Sequence, residues 1–167
     1  DPYLSRGLGD VYKRQSVHTQ IYQVALRTIT MLPDEFGIKT MLDHSTFDSY
    51  KAAREAGKRD LYVIVGPRIW WQDPGDRTIN SCAGRWWDAG HRKLGINTDA
   101  PVVPQEELQL QAALSVHYGW ETYPAIKGLT RIPAEALGVD DRIGSIRIGM
   151  DADFCLWTGD PLDPRSS

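Results

Sequence analysis

The sequence predicts an α/β fold with a parallel sheet that forms half of a TIM barrel. From residue 16 to residue 118, short apolar segments alternate with segments of helical periodicity, which is the order of four βα units. Residues 61–65 form an unbroken apolar run, typical of a parallel strand buried on both faces. The spacings from His18 to His44 (26 residues) and from Ile64 to Ile96 (32 residues) resemble the roughly 31 residues that a barrel spends on each unit. Four units cannot close a barrel, so we expect an incomplete one.

The first two units have clear helix and turn signals. Their predicted elements are a strand at 16–18, a helix at 20–36, a strand at 38–43 and a helix that starts at residue 47. Pro33 is expected to end or bend the first helix because proline has no backbone N–H. Gly37 and Gly57 are the predicted C-terminal caps of the two helices.

The remaining elements lead into a tail of different character. They are a strand at 61–65, a polar loop at 66–79, a helix at 80–89, a strand at 93–98, a helix at 106–118 and a short helix that ends at Gly138. After residue 139, glycines punctuate β-type sequence, and residues 144–149 and 152–157 read as two strands around a turn. We therefore expect a small β unit, at 139–167, after a barrel segment at 16–138.

Composition excludes several classes of function. The chain has 167 residues, a net charge of −3 and 41% hydrophobic residues, as expected of a soluble globular protein. It has no runs of Lys and Arg, so we expect no nucleic-acid partner. No apolar stretch approaches the ~20 residues that cross a bilayer, so we expect no membrane association. Cys82 and Cys155 are interpreted as buried small hydrophobic residues.

Three side chains that can bind metals stand at or beside the ends of predicted strands. They are His18, His44 and Asp99, each followed by loop sequence. Carboxyl ends of parallel strands face one shared space, and imidazole nitrogen and carboxylate oxygen bind Zn²⁺. The pattern indicates a hydrolytic metal site. A lone histidine is, however, more often a capped or core residue than a ligand.

The first fifteen residues differ from the rest of the chain. The segment DPYLSRGLGDVYKRQ has no apolar periodicity, and from Ser5 onward it resembles a translated sequencing-library adapter. We exclude residues 1–15 from the fold prediction and expect the natural N-terminus to be missing. The compartment, cytoplasmic or secreted, is therefore left open.

The C-terminal sequence resembles a known family. Residues 132–161, IPAEALGVDDRIGSIRIGMDADFCLWTGDP, are similar to the C-terminal signature of the amidohydrolase superfamily, nearest to its imidazolonepropionase-like branch. The resemblance covers residues 16–165. Ile132, Ile148 and Met150 depart from the usual Asn, Pro and Lys of the signature, in a segment remote from the predicted chemistry.

The resemblance implies a distorted (β/α)₈ barrel, of which this chain holds about strands five to eight, and part of a small β-sandwich. It implies that His18 ends the fifth strand as a metal ligand. His44 would end the sixth strand and either bind a second metal ion or polarise the substrate. Asp99 would end the eighth strand as a metal ligand and as the base for the attacking water. The His-x-His pair of the family's first strand does not occur in this chain.

The loop after the predicted strand at 61–65 would then lie on the catalytic face. In it, Arg68, Trp70 and Trp71 are the candidates for contact with substrate, with anchoring of the loop as the alternative for all three. Asp43 is interpreted as a structural residue or a support for the metal ligands. His91, on the opposite side of the barrel, is expected at the surface.

These residues support two hypotheses about function. The first is a fragment of a metal-dependent hydrolase that cleaves a C–N bond other than a peptide bond in a small molecule, with one or two divalent ions, typically Zn²⁺. The alternative is a barrel-fold binding or scaffold protein without catalysis. The open edges of half a barrel also predict that the isolated chain associates with copies of itself as a homo-oligomer.

Overall fold

The computed structural model describes residues 14–166, and a sheet of four parallel strands lies at their centre. The described residues form six strands in two sheets: β1 (Arg14–His18), β2 (Lys39–Asp43), β3 (Tyr62–Val65), β4 (Trp70–Gln72), β5 (Ile79–Ser81) and β6 (Leu94–Ile96). The α-helices are α1 (Tyr22–Ile29), α2 (Ala53–Lys58), α3 (Cys82–Asp88), α4 (Leu108–His117), α5 (Thr122–Leu129) and α6 (Arg131–Leu137). The parallel sheet has the order β1-β2-β3-β6, and β4 pairs with β5 in a separate antiparallel hairpin. The predicted parallel α/β sheet is therefore confirmed.

The register of the sheet brings the carboxyl ends of its strands to one edge. His18 is opposite Asp43, and Val65 is opposite Ile96. Leu42 and Val63 pair in the middle of the sheet and are fully buried. Side chains that follow these strands are consequently neighbours in space.

Strand β1 begins at Arg14, within the segment that the sequence assigned to an adapter. Arg14 and Gln15 pair with Lys39 and Thr40 through the backbone. Strand pairing joins main-chain groups, so it does not require a particular side chain at these positions. Residues 1–13 of the predicted adapter lie outside the described residues.

Trp86 anchors α3 to the core beneath the sheet's carboxyl edge. Its side chain is fully buried, and Nε1 donates a hydrogen bond to the Ser45 carbonyl at 2.9 Å. The N–H of a buried indole usually finds an acceptor, as it does here. The contact holds the turn that follows His44 against the body of the protein.

Proline shapes the end of the first helix, as predicted. After α1 the chain widens into a π-helical turn, Thr30–Glu35, that contains Pro33. The wider turn accommodates a residue that cannot donate to the carbonyl four positions earlier. The chain then turns at Gly37, which has φ of 65°.

Two elements were absent from the sequence prediction. Strand β4 lies within the predicted loop at 66–79, whereas β5 begins at Ile79 and includes the first two residues of the predicted helix at 80–89. Each strand has three residues, which is too few to show alternation. Helix α5 contains Gly128, a poor helix former, which weakens the helical pattern in the sequence. In the structure, close packing at this glycine offsets its low helix propensity. A Cβ at Gly128 would lie 2.8 Å from the Trp120 ring and 3.0 Å from the Leu94 carbonyl oxygen, so this glycine allows α5 to approach β6.

The prediction of two strands in the tail is wrong for the described residues. Residues 139–166 contain no strand, and the apolar side chains that were expected to alternate in a sheet are exposed: Ile146, Ile148, Phe154 and Leu156. A two-stranded hairpin is marginal in water without a further layer to cover its apolar face. Nothing among the described residues supplies that layer.

The helices of the described residues are short. None of them is long and apolar enough to cross a membrane.

Candidate active site

The three residues predicted to bind metal lie together at the carboxyl edge of the sheet. His18 ends β1 and His44 follows β2, with their ring centroids 4.3 Å apart. Nε2 of His44 lies 3.7 Å from Oδ1 of Asp99. These distances could not be predicted from the sequence, in which the three residues are up to 81 positions apart.

The predicted strand that was to end in Asp99 is shorter than expected. Strand β6 stops at Ile96, and Asp99 lies three residues later in a turn closed by the Val102 N–H, which donates to the Asp99 carbonyl at 2.8 Å. The turn returns the Asp99 carboxylate toward His44. About 41% of its side chain is exposed, against 9% for His44, so the pair faces solvent from the Asp99 side.

The ring of His44 is held in one tautomer. Its Nδ1 lies 2.8 Å from the Gly66 carbonyl oxygen, which can only accept a hydrogen bond. Nδ1 therefore carries the proton, and Nε2 presents its lone pair on the side of Asp99. A hydrogen bond from the opposite nitrogen to a carbonyl is the usual way in which a histidine is oriented to accept a proton or bind a metal.

Gly66 is required by the close approach of two chain segments. Its φ is 140°, and a Cβ at this position would collide with the Asn97 carbonyl. The absence of a side chain lets the segment after β3 pass directly against the segment after β6. This contact places the Gly66 carbonyl beside Nδ1 of His44.

Two of the five non-glycine residues with positive φ in the described part of the chain are the site residues His44 and Asp99. His44 and Asp99 have φ of 59° and 50°, in the left-handed region that side-chain-bearing residues rarely adopt. Each such residue typically costs about 1–3 kcal/mol unless the surrounding structure enforces it, and such residues cluster at functional sites. Phe47, close by in the chain, has the same kind of backbone conformation, with φ of 49°.

Asp43 connects three strands beneath these residues. Oδ1 accepts hydrogen bonds from the His44 backbone N–H at 2.9 Å and from Asn97 Nδ2 at 2.5 Å. Oδ2 accepts a hydrogen bond from the Ser16 hydroxyl at 2.9 Å. The carboxylate thereby joins β1, β2 and the segment after β6, which fits its interpretation as a support for the site. The sequence analysis did not identify Asn97 as a residue of the site. The sequence signal that could have indicated it is its position two residues before Asp99.

The donor set suits zinc chemically. Imidazole nitrogen and carboxylate oxygen are ordinary zinc ligands, and His44 Nε2 has a free lone pair for this role. Within residues 14–166, however, no three His, Cys, Asp or Glu side chains converge closely enough to hold a metal ion.

A cavity of about 570 Å³ opens beside Asp99 on the same edge of the sheet. Arg68 and Trp70, two of the predicted substrate contacts, line it. Trp71, the third, is half-buried and packs against the core, with its ring edge-on to Phe47 at 6.5 Å between centroids. For Trp71 the structure favours the alternative of loop anchoring.

A second cavity, of about 420 Å³, lies at the opposite edge, where the strands begin. Arg59 pairs with Asp34, and Lys93 pairs with Asp60. Arg59, Asp60 and Lys93, which line this cavity, are thus already in ion pairs, and the cavity lies at the end of the sheet away from His44 and Asp99. The chemistry of the protein is better sought beside Asp99.

Two other residues differ from their predictions. His91 is 4% exposed rather than at the surface, because it packs edge-on against Trp86 at 5.4 Å between ring centroids. Burial lowers the pKa of His91 to about 4. Cys82 is buried as predicted, and burial raises the pKa of its thiol to about 12, whereas Cys155 is exposed.

The described residues form an α/β fold with a parallel sheet whose carboxyl edge carries polar residues, the arrangement found at the active sites of TIM-barrel enzymes. The chain belongs to the amidohydrolase family, whose family model matches residues 76–166, more than half of its length. This confirms the family resemblance of the C-terminal signature.

Individual relatives agree with this assignment. The chain is 40% identical over 142 residues to amidohydrolase tasK of Hapsidospora irregularis, covering 75% of this chain and 14% of that protein. It is 58% identical over 33 residues to the imidazolonepropionase of Shewanella halifaxensis, covering 20% of this chain and 8% of that protein. Its structure is similar to that of an amidohydrolase from Thermotoga maritima, with a TM-score of 0.80 and 29% identity over 98% of this chain and 43% of that one. The chain thus spans less than half the length of each of these relatives.

Proposed function

We propose that this chain is the C-terminal half of a metal-dependent amidohydrolase, which hydrolyses a C–N bond other than a peptide bond in a small molecule. Membership of the amidohydrolase family supports hydrolysis in general. The open sheet of four parallel strands supports a half barrel, since a closed TIM barrel has eight. In this proposal the preceding strands belong to sequence that is not part of this chain.

The arrangement of His44 carries the proposal. Its ring is fixed through Nδ1 to Gly66, its Nε2 is free, and that nitrogen lies 3.7 Å from Asp99. His18 stacks beside it at 4.3 Å between ring centroids. Left-handed backbone at both His44 and Asp99 is typical of functional sites, so this geometry supports the enzyme over the alternative.

The metal would be held by His18 and Asp99, with His44 either as a further ligand or in contact with the substrate. Members of this superfamily are generally metal-dependent, and the nitrogen and oxygen donors favour Zn²⁺. When bound, a divalent ion would acidify a water molecule so that hydroxide is available near neutral pH.

The side chains of this chain then have distinct tasks. The Asp99 carboxylate accepts the proton of the attacking water and returns it to the leaving nitrogen, acting first as general base and then as general acid. If His44 contacts the substrate, a proton on Nε2 would be needed to hydrogen-bond the carbonyl oxygen as negative charge develops on it.

The tail is also part of the proposal. We propose that residues 139–167 complete a small β-sandwich with strands from outside this chain. The exposed, alternating apolar side chains Ile146 and Ile148 support this, since they have no apolar surface to cover them among the described residues.

The experiment compares this chain with the complete product of the natural gene. Zn²⁺ is titrated calorimetrically into each metal-free protein, and hydrolysis of a panel of small amides is assayed before and after zinc is restored. We expect weak binding without turnover for this chain, and tight binding with zinc-dependent turnover for the complete product. Tight stoichiometric zinc binding with turnover by this chain alone would contradict the proposal that the chain holds only part of the active site. A complete product inactive on the whole panel, with or without metal, would favour the scaffold.

A further inference from the structure

We infer that the cavity beside Asp99 binds a carboxylate group of the substrate through Arg68. The inference rests on the proposed function for the reaction, but the charge of the ligand is argued from the cavity alone. The cavity has a volume of about 570 Å³, within the range of sites for small molecules rather than for macromolecules. The residues that line it are Gln20, Thr46, Phe47, Gly66, Pro67, Arg68, Ile69, Trp70, Asp99, Val102 and Val103.

Arg68 has a contact with an aromatic ring but no acceptor for its N–H donors. Its guanidinium carbon lies over the Phe47 ring, 5.6 Å from the centroid, within the range of a cation–π contact. Such a contact supplies no hydrogen-bond acceptor, so the five N–H donors of the group can still bind a ligand. Among residues 14–166, Arg68 forms neither an ion pair nor a hydrogen bond. Eight other Lys and Arg side chains of that region do pair with carboxylates: Arg27, Lys51, Lys58, Arg59, Lys93, Arg131, Arg142 and Arg165.

The charge balance of the cavity favours a single negative charge on the ligand. Arg68 is the one cation among the lining residues, and Asp99 is the one anion. A planar guanidinium matches the two oxygens of a carboxylate. A phosphate monoester would bring up to two negative charges into a cavity that already contains Asp99, with no second Lys or Arg among the lining residues to offset them.

The rest of the lining indicates what the carboxylate is attached to. Trp70, Val102 and Val103 present apolar surface, and Trp70 is steadied by its contact with Tyr118 at 6.0 Å between ring centroids. The buried Thr46 hydroxyl has no hydrogen-bond partner among the described residues and lines the same cavity. We therefore assign the substrate class as amides that carry a carboxylate and an apolar group, with the scissile bond at the Asp99 end.

The test measures binding of compounds that have no bond to hydrolyse. The probes are 3-phenylpropanoate, its uncharged analogue 3-phenylpropanol, and 2-phenylethyl phosphate. Each is titrated calorimetrically into the complete product of the natural gene, both zinc-loaded and stripped of metal. The variants are Arg68→Met, Arg68→Lys and, as the matched control, Arg77→Gln, which removes an exposed charge at the far end of the β4–β5 hairpin.

We expect Arg68→Met to weaken binding of 3-phenylpropanoate by at least about tenfold, because a charge-assisted hydrogen bond is lost. Arg68→Lys should have an intermediate effect, since it keeps the charge but loses the planar pair of donors. Arg77→Gln should have no effect, and 3-phenylpropanol should bind all variants alike. The dependence on Arg68 should persist without metal.

Several results would overturn the inference: equal binding of acid and alcohol, binding of the acid only when metal is present, tighter binding of the phosphate, or no binding of any probe. Arg68-dependent binding of the acid in a protein that hydrolyses no amide would instead defeat the proposed function alone. Hydrolysis of neutral and acidic amides at equal rates would leave the proposed function intact and defeat this inference.

Discussion

Asp43 and Asn97 are joined by a hydrogen bond of 2.5 Å across 54 residues of sequence, at the point where β2 and β6 reach the edge of the sheet. The same Asp43 oxygen accepts the N–H of His44, so one carboxylate fixes both sides of the site. The strained backbone of His44 is therefore supported from below by a residue that has no contact with substrate in the proposed mechanism.

Asp43→Asn should lower the metal affinity and the rate of the complete natural protein by about 10- to 100-fold, the typical effect of losing a group that orients metal ligands. The amide keeps the size of the side chain but presents only one acceptor oxygen to three donors. Metal content and kcat should fall together. Ser16→Ala, which removes only the exposed hydrogen bond to Asp43, serves as the control and should retain nearly full activity. Equal effects of the two substitutions would show that the connection to Asn97 and His44 is unimportant.

Burial of His91 predicts a loss of stability in mild acid. Its pKa is about 4 in the folded protein, because burial disfavours the charged ring, against 6.5 for an ordinary histidine. The unfolded chain therefore binds a proton between these values and the folded protein does not. The free energy of unfolding should fall as the pH drops from about 6.5 to about 4, by about 3 kcal/mol from this residue.

Urea unfolding of the complete natural protein at several pH values between 4 and 8 measures this dependence. The His91→Phe variant retains an aromatic contact with Trp86 and cannot titrate, so its curve should be flatter than that of the wild type over the same interval. Parallel curves for the two proteins would mean that His91 is protonated or exposed in the folded state.

Open edges and exposed apolar side chains predict self-association of the isolated chain. Strands β1 and β6 are the two edges of the parallel sheet, and Ile148 and Leu156 are about nine-tenths or more exposed. Light scattering at micromolar concentration should detect dimers or larger species. Replacing Ile146, Ile148, Phe154 and Leu156 with threonine should reduce their size without affecting the buried core. A clean monomer of the unmodified chain would contradict the half barrel.

The sequence was informative where a regular pattern repeats. Apolar runs such as β3 and the spacing of βα units predicted the parallel sheet, and the ends of those strands predicted where His18 and His44 would lie. The signal is strong because a parallel strand is buried on both faces and its carboxyl end must leave the sheet at a common edge.

The features that the sequence did not predict depend on contacts between distant residues. The β4–β5 hairpin is too short for periodicity, and α5 contains Gly128 because Trp120 and the Leu94 carbonyl leave no space for a side chain. His91 is buried by the ring of Trp86, and Asn97 reaches Asp43 only through the fold. The tail is the opposite case, a pattern in the sequence without the matching structure. Residues 144–149 and 152–157 have a β-type pattern but form no strand, because no partner strand pairs with them among the described residues.

The central claim is that Asp99 acts with His18 and His44 at one catalytic metal site. Metal content and kcat are measured together on the complete natural protein, for Asp99→Asn, His18→Ala and His44→Ala, with the exposed Asp153→Asn as the control. Asp99→Asn should lose at least about 100-fold in kcat, because losing a general base typically costs about 10²–10⁴-fold. His18→Ala should lose metal, and excess Zn²⁺ should restore part of its rate. His44→Ala should keep its metal and lose kcat if the ring contacts substrate, or lose both if it is a ligand. Near-normal kcat for Asp99→Asn would contradict the account and reduce Asp99 to a turn residue after β6.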